Sequence, residues 1–232
     1  MKFSKRLTKG FTLLELLIVV AIMAILAVIA VPYMNRTVAT HRVNNRADQL
    51  QALIQFARSE AVRTNKPILI CPTLIRKNFA NTYACKKFAE YENGTGWQGL
   101  LAFSDINLNG SYDANTDNTV RVAVLNQNTD DQSKIKVKVK MKIFCSSSTR
   151  NDCNKKLDGQ QMLGFMPNGQ FGVGFGEQSS NWSIAQSNFV FELYDSKNTD
   201  ISQRLIISAG GNIISCAKSA NTNNTLCNKK LD

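Results

Sequence analysis

The chain has 232 residues, of which 44% are hydrophobic and 19% charged, and its formal net charge at pH 7 is +11. This composition excludes a disordered tail and is typical of a chain that folds as one globular domain. The excess of basic residues indicates that an acidic or polyanionic surface is among its possible partners.

The chain begins with a basic stretch that is followed by an apolar run at residues 11–31. A helix over this run would be about 30 Å long, which matches the hydrocarbon core of a bilayer. A cleaved secretory signal is the rival interpretation, but its apolar core would be shorter, about 7–15 residues, and would end in a small-residue cleavage site. The sequence therefore predicts a membrane span. Four basic residues would hold its N-terminal end on the cytoplasmic side: Lys2, Lys5, Arg6 and Lys9.

One carboxylate, Glu15, lies inside the apolar run, and a charge kept in a membrane span points to a function. The stretch KGFTLLELLIVVAIMAIL resembles the N-terminus of type IV pilins and type II secretion pseudopilins. The resemblance implies that prepilin peptidase cuts after Gly10 and that the new N-terminal Phe11 is N-methylated. It also implies that Glu15 neutralises the N-terminal ammonium of a neighbouring subunit. The implied partners are other pilins, the peptidase and the bacterial inner membrane, with later transfer to a fibre at the cell surface.

A helical pattern continues beyond the apolar run. Apolar residues recur at spacings of three and four and form one stripe: Val43, Ala47, Leu50, Ile54, Ala57 and Ala61. Pro32 is expected to bend the helix, and Asn65-Lys66-Pro67 to end it. Five arginines lie largely off the stripe and are expected to form a solvated face: Arg36, Arg42, Arg46, Arg58 and Arg63.

From Pro67 onward the sequence predicts strands, separated by clusters of Gly, Asn, Asp and Ser. The predicted strands are 68–70, 100–103, 120–125, 135–144, 189–194 and 204–207. A long helix followed by runs of strands predicts an α+β fold, pilin-like by the resemblance, with the helix packed on an antiparallel β-sheet domain. The expected organisation is a leader at 1–10, a transmembrane half-helix at 11–31, an amphipathic half-helix at 32–66 and a periplasmic β-rich domain at 67–232.

Three later stretches are similar to the FimU, FimT and GspH branch of minor pilins and pseudopilins: GWQGLLAFSDINLNGSYDANTDNTVRV, LGFMPNGQF and RLIISAGGNI. The similarity implies a minor pilin that lies at or near the tip of a type IV pilus, primes its assembly and supports twitching, adhesion or DNA uptake. DNA-binding members of the FimT type carry Gly-Arg-x-Arg where this chain has Gly211, Asn212, Ile213 and Ile214. The missing arginines favour a FimU-like role. FimT-like DNA capture and a GspH-like pseudopilin of type II secretion remain the alternatives.

Six cysteines fall as three pairs that are close in sequence: Cys71 with Cys85, Cys145 with Cys153, and Cys216 with Cys227. Short-range disulfide pairing is the simplest of many connectivities, and an even count behind a membrane-targeting segment fits an oxidising periplasm. A zinc site is the alternative, but the sequence has no Cys-x-x-Cys, and its single histidine, His41, is remote from the cysteines. We therefore expect three disulfide bonds.

Residues 134–143 alternate lysine with apolar residues, which places five lysines on one face of a predicted strand: Lys134, Lys136, Lys138, Lys140 and Lys142. Such a row could follow the backbone of DNA. Lysines on an exposed edge strand also prevent edge-to-edge aggregation, and no aromatic residues for base stacking are interleaved with them. The sequence leaves weak DNA binding and edge protection as alternatives.

A polar segment resembles the first half of a calcium loop, with oxygen ligands at alternate positions: Asp105, Asn107, Asn109 and Asp113. Gly110 occupies the sixth position, but Thr116 at the twelfth cannot supply the usual bidentate carboxylate, although Asp117 is adjacent. A polar turn between strands explains the same residues. No catalytic constellation is recognisable, so we expect neither an enzyme nor a cofactor.

Overall fold

The structure, a computed structural model, describes residues 10–74, 85, 96–126, 134–145, 161–175, 182–184, 187–217 and 225–228. In these residues one long helix, α1 (Leu13–Thr64), precedes the strands, and a short helix, α2 (Thr225–Asn228), follows them. The chain divides into two compact units, residues 1–39 and residues 40–232.

The first unit contains the apolar part of α1. Its described side chains from Leu13 to Val38 are exposed, and Phe11 just before the helix is 85% exposed. The helix contains a stretch that is long and apolar enough to cross a membrane. Its backbone stays helical across Pro32. Exposed apolar surfaces of this size are typical of segments that contact a membrane or another protein.

In the second unit the apolar stripe of α1 is buried, as the sequence predicts. All six stripe residues are at most 1% exposed, and Leu53 between them is buried as well. The helix ends at Thr64, and Asn65 takes a positive φ of 52°, a common way to terminate a helix. The second half of α1 therefore forms part of the hydrophobic core of the folded domain.

The described strands form two antiparallel sheets. In chain order the strands are β1 (Ile68–Thr73), β2 (Gly99–Ser104), β3 (Asn118–Val124), β4 (Val137–Cys145), β5 (Gln161–Phe165), β6 (Phe171–Phe175), β7 (Trp182–Ile184), β8 (Ser187–Asp195), β9 (Ser202–Ile207) and β10 (Ile213–Ala217). The six-stranded sheet has the order β3-β2-β1-β5-β6-β7, and the four-stranded sheet has the order β10-β9-β8-β4. The predicted α+β fold, with a long helix and an antiparallel β-sheet domain, is confirmed.

Aromatic rings join the two sheets in a common core. Phe165 and Phe171 of the six-stranded sheet have ring centroids 5.3 Å apart, and Phe171 lies 5.6 Å from Phe189 of the four-stranded sheet. Phe189 in turn lies 5.0 Å from Phe191. Such tilted ring pairs stabilise a core beyond the burial of their area.

Candidate functional site

The start of α1 carries the residues that the sequence assigns to processing and assembly. Gly10 and Phe11 precede the helix and are exposed. The N–H of Glu15 donates to the Thr12 hydroxyl (3.2 Å), and the N–H of Thr12 donates to Oε2 of Glu15 (3.3 Å). This reciprocal pair is a capping box, with Thr12 before the helix and Glu15 at its third position.

The capping box gives Glu15 a partner within its own subunit. A carboxylate in the first turn of a helix is stabilised by the free N–H groups and the helix dipole. Both contacts from Thr12 end at Oε2, so a further donor can bind the carboxylate at Oε1 without breaking them. The resemblance to pilins implies only a partner in another subunit for Glu15, whereas the T-x-x-E spacing is a local signal of this cap.

The arginines of α1 do not form one solvated face, so that expectation is wrong for two of them. Nη1 of Arg42 lies 3.1 Å from Oδ2 of Asp195, whose side chain is 3% exposed. The guanidinium of Arg58 donates to the carbonyl oxygens of Gly169 (3.2 Å) and Gly210 (2.9 Å). These two arginines hold the helix to the sheets at two points. Arg63, by contrast, pairs with Glu60 on the helix surface at 2.6 Å.

Gly211 and Asn212, the first half of the stretch compared with Gly-Arg-x-Arg, lie in a tight turn between β9 and β10, and Ile213 and Ile214 begin β10. Gly211 has a φ of 79°, and a Cβ there would lie 2.5 Å from the carbonyl oxygen of Gly169. Oδ1 of Asn212 accepts a bond from Arg58 (3.4 Å), and Ile214 is 48% exposed. The β9–β10 turn therefore packs closely against the β5–β6 turn and against Arg58 of α1.

The lysine row lies on and just before β4, which ends the four-stranded sheet in the part that the structure describes. Ile135, Val137 and Val139 are buried, so the predicted alternation of the two faces is confirmed for residues 134–140. Three of the lysines are exposed, and two are half-buried. The exposed ones are Lys134, Lys136 and Lys140; the half-buried ones are Lys138 and Lys142.

An aromatic ring lies beside the lysine row, which the sequence did not reveal. Tyr194 of β8 is the register partner of Lys138, and Nζ of Lys140 lies 5.6 Å from its ring centroid. Lys140 is the register partner of Glu192 on β8. An outer strand with lysines fits edge protection, and a neighbouring ring adds an element that nucleic-acid binding would use.

The loop between β2 and β3 satisfies its carboxylates with its own donors. Asp105 is 1% exposed, and its two oxygens accept the N–H groups of Asn109 (3.2 Å) and Gly110 (2.7 Å). The side-chain amides of Asn107 and Asn109 donate to Oδ2 of Asp113 (2.8 and 2.6 Å). The backbone N–H groups of Ile106 and Asp113 donate to the carboxylate of Asp117 (2.9 and 2.7 Å). Among the described residues no cluster of three or more His, Cys, Asp or Glu is arranged to hold a metal ion.

Burial is the largest influence on the pKa of the Asp105 carboxyl in this loop. It raises the pKa of the Asp105 carboxyl above its ordinary value of 3.8. The N–H donors of Gly110 and Asn109 act in the opposite direction, and the negative charge of Asp117 raises the pKa further. The arrangement is that of a closed polar turn.

Arg204 has a structural role that the sequence pattern does not reveal. It is 1% exposed, and its Nη2 lies 3.0 Å from Oε2 of Glu192 on the neighbouring strand β8. Its Nη1 donates to the carbonyl oxygens of Leu226 (3.0 Å) and Cys227 (2.9 Å) in α2. The buried guanidinium thus fixes the C-terminal helix over the four-stranded sheet. The sequence offers no local signal for this, because the partners are 12 and more residues away.

Two disulfide bonds lie among the described residues: Cys71–Cys85, with Cα atoms 5.5 Å apart, and Cys216–Cys227, with Cα atoms 6.1 Å apart. The second bond closes the segment that Arg204 holds, and its cysteines pack with Val190 and Ile206. The predicted Cys145–Cys153 bond stays a prediction, because Cys153 lies outside the described residues.

Comparison with protein families gives two matches. Residues 46–211 match the model of the type II transport protein GspH. Residues 5–31 match the prokaryotic N-terminal methylation motif, which includes Gly10, Phe11 and Glu15. No match was found among curated protein sequences.

Solved structures with some similarity include the type IV minor pilin FimU of Pseudomonas aeruginosa and GspH of E. coli. One crystal form of FimU is 17% identical, with 78% of this chain and 97% of FimU covered and a TM-score of 0.40. The solution structure of GspH is 8% identical, with 79% and 94% covered and a TM-score of 0.40. Similarities of this size carry no argument about function, which rests instead on the two family matches.

Proposed function

The chain belongs to the family of the type II transport protein GspH, and on this premise we propose that it is a minor pilin of a type IV pilus. It is inserted in the inner membrane with its β-rich domain in the periplasm. Prepilin peptidase removes residues 1–10, and the mature chain joins the fibre at or near its tip and primes assembly. Family membership implies assembly with other pilins.

One observation carries this proposal: the methylation motif coincides with a helix whose described apolar side chains are exposed. The motif spans residues 5–31, and the described side chains of α1 are exposed from Leu13 to Val38. Lipid can cover such a surface in the membrane, and the helices of other subunits can cover it in a fibre. The same helix therefore serves both for membrane storage and for assembly.

Glu15 fits both states. In the membrane its carboxylate lies near the end of the span, where the cost of a charge is lower, and the capping box with Thr12 satisfies it. In the fibre its free oxygen can accept the ammonium of the neighbouring subunit's Phe11. An ammonium partner would offset the cost of burying this carboxylate among the helices of a fibre.

Mass spectrometry of the chain purified from its own cells tests the processing step. We expect a mature N-terminus at Phe11 that carries one added methyl group. A chain that keeps residues 1–10 in cells with an active prepilin peptidase would contradict the proposal.

A pseudopilin of type II secretion is the second candidate, favoured by the description of the matched family. It shares every assembly feature and differs in what the fibre serves. Deletion of the gene separates the two, because loss of piliation and twitching supports the pilus and loss of protein secretion supports the pseudopilin. Neighbouring genes for pilus-tip proteins or for secretion components give the same discrimination. DNA binding by a FimT-like subunit is a third candidate, which rests on the lysine row and is tested below.

A further inference from the structure

Strand β3 ends the six-stranded sheet on one side. Among the residues that the structure describes, β2 is its one strand neighbour. Four of its seven residues are exposed, and Val124 is 37% exposed. An outer strand leaves a row of backbone N–H and C=O groups that another chain can pair with.

Two of the four outer strands of the described sheets, β3 and β4, differ in how they are protected. β4 carries Lys138, Lys140 and Lys142, and lysines on an edge discourage pairing with another strand. β3 reads NTVRVAV, with no lysine and no proline, and Arg121 is its one charged residue. Its sequence therefore lacks the row of lysines that keeps β4 apart from other chains.

A groove of about 840 Å³ lies between β3 and the last turns of α1. The helix side includes Phe56, which is 39% exposed and lies 5.3 Å below the guanidinium of Arg121. The strand side includes Val120, where the register with β2 shifts: Thr119 pairs with Phe103, and Arg121 pairs with Ala102. Such a bulge turns side chains away from the regular pleat, so the groove can receive a side chain beside the strand.

The surroundings of the groove are basic. Arg63 and Lys66 line it, and Arg121 lies on the strand beside it. Its one acidic lining residue, Glu60, is already paired with Arg63 at 2.6 Å. The whole chain carries a net charge of +11, so a second copy would be repelled and an acidic partner attracted.

We propose that β3 binds an extended, acidic segment of another protein, which adds a seventh strand to the six-stranded sheet and places one side chain in the groove. The backbone of β3 would supply the hydrogen bonds, and Lys66 and Arg121 would select the charge. This interaction needs only the domain surface, so it does not depend on a place in a pilus.

Hydrogen exchange measured by mass spectrometry tests the proposal on the full chain in detergent. The probe is a synthetic peptide as long as β3, 7 residues, that alternates glutamate and valine. We expect it to slow exchange at the amides of residues 118–124 and not at those of β4. Slowed exchange on β4, or on neither strand, would overturn the proposal.

Two peptide controls separate strand addition from charge attraction. A peptide with lysine in place of glutamate should not bind, because the groove is basic. Two further peptides carry N-methyl groups on every second backbone nitrogen, one at the odd positions and the other at the even positions. Only one of these two sets of N–H groups would point toward β3 in a paired strand, so one of the two peptides should lose binding. If both methylated peptides bind like the original, no strand is added and the proposal is wrong.

Matched variants locate the charge selection. Lys66→Gln combined with Arg121→Gln should weaken binding of the acidic peptide by roughly three- to tenfold, since each exposed charge contributes modestly. Lys66→Gln alone, which leaves the contact of Arg121 with Phe56 intact, should give a smaller loss in the same direction. Lys138→Gln combined with Lys140→Gln removes the same charge from β4 and should leave binding unchanged. Equal losses in the two double variants would contradict a site at β3.

Discussion

Glu15 has one partner in its own subunit and a second in the proposed fibre, and three substitutions separate these roles. Glu15→Gln keeps a side chain that can close the capping box but removes the charge. Glu15→Ala removes both, and Thr12→Ala removes the cap at a cost of about 1 kcal/mol while it keeps the charge. We expect both Glu15 variants to insert in the membrane and to be nearly absent from sheared fibres.

The comparison of Glu15→Gln with Thr12→Ala decides between the two partners. If the pairing between subunits is the essential one, Thr12→Ala should enter fibres far better than Glu15→Gln. Immunoblots of the membrane and fibre fractions give the ratio. Normal assembly of Glu15→Gln would show that the cap, and not the charge, is what the fibre requires.

Asp105 makes the stability of the domain depend on pH. Its pKa in the folded chain is raised above the ordinary 3.8, so the folded state binds this proton more tightly than the unfolded state. The stabilising contribution of this group is therefore fully present below pH 3.8 and is lost as the pH rises through the raised value. Asp105→Asn should remove this loss.

Unfolding of the full chain in detergent, across a pH series that begins below 3.8, measures this effect. The stability of the wild type relative to Asp105→Asn should fall as the pH rises. The variant also leaves one of the N–H groups of Asn109 and Gly110 without its acceptor. This loss changes the difference in unfolding free energy between wild type and variant by roughly 1–3 kcal/mol at every pH. Asn107→Ala removes a loop contact but no titratable group, so it should show no such slope. A slope of the opposite sign for Asp105→Asn would contradict the prediction.

Single residues were predictable from the sequence where their partners are local. The cap of Thr12 and Glu15 follows from a spacing of three residues, and the end of α1 follows from Asn65-Lys66-Pro67. Arg204 was not predictable, because a lone arginine among apolar strand residues gives no sign that a helix more than 20 residues later supplies two carbonyl oxygens. The same holds for Arg58, whose acceptors lie on two turns far along the chain.

At the level of single strands, β4 carries the lysine row on an outer edge, and this position favours edge protection over DNA binding. We expect the full chain in detergent to bind duplex DNA weakly, without sequence preference, and to release it as salt is raised. The triple variant Lys138→Gln, Lys140→Gln, Lys142→Gln should bind nearly as well as the wild type but aggregate more readily.

Gel shifts in a salt series and light scattering measure the two properties of the triple variant. Lys197→Gln, an exposed lysine outside β4, serves as the control for a general loss of charge. A slope of log K against log salt that flattens by up to about three units in the triple variant would show that the row contacts phosphates. Tight binding that persists at high salt would restore DNA capture as the leading function.

The strands that were predicted are those with alternating or continuous apolar runs, and all six lie within or overlap strands of the structure. β5 and β6 escaped prediction because their runs, QMLGF and FGVGF, are short and interrupted by glycine, which weakens a strand signal. β10 is also short, and its sequence IISCA ends in small residues. The separation into two sheets could not be predicted either, because register and strand order depend on contacts between distant segments.

For the molecule as a whole, the C-terminal disulfide should matter as much as any single core contact. Cys216→Ser combined with Cys227→Ser opens a loop with a sequence separation of 11 and should lower the free energy of unfolding by about 3 kcal/mol. The loss arises because the unfolded chain gains freedom and because α2 can leave the carbonyl contacts with Arg204.

Urea unfolding of the full chain in detergent measures this loss, and the variant Cys71→Ser with Cys85→Ser provides a comparison for a loop of separation 14. Non-reducing peptide mapping of the native protein should find both bonds together with Cys145–Cys153. Free thiols at any of the three pairs would contradict the predicted pairing.

The contacts of Arg58 have a mechanical consequence. One guanidinium holds the β5–β6 turn of the six-stranded sheet and the β9–β10 turn of the four-stranded sheet, and Arg42 holds the far end of β8. A tensile load that enters along this part of α1 therefore reaches both sheets at once and is shared by several bonds. Bonds that share a load break at a higher total force than bonds that are broken one at a time, so these contacts strengthen the attachment of the sheets to the helix under tension.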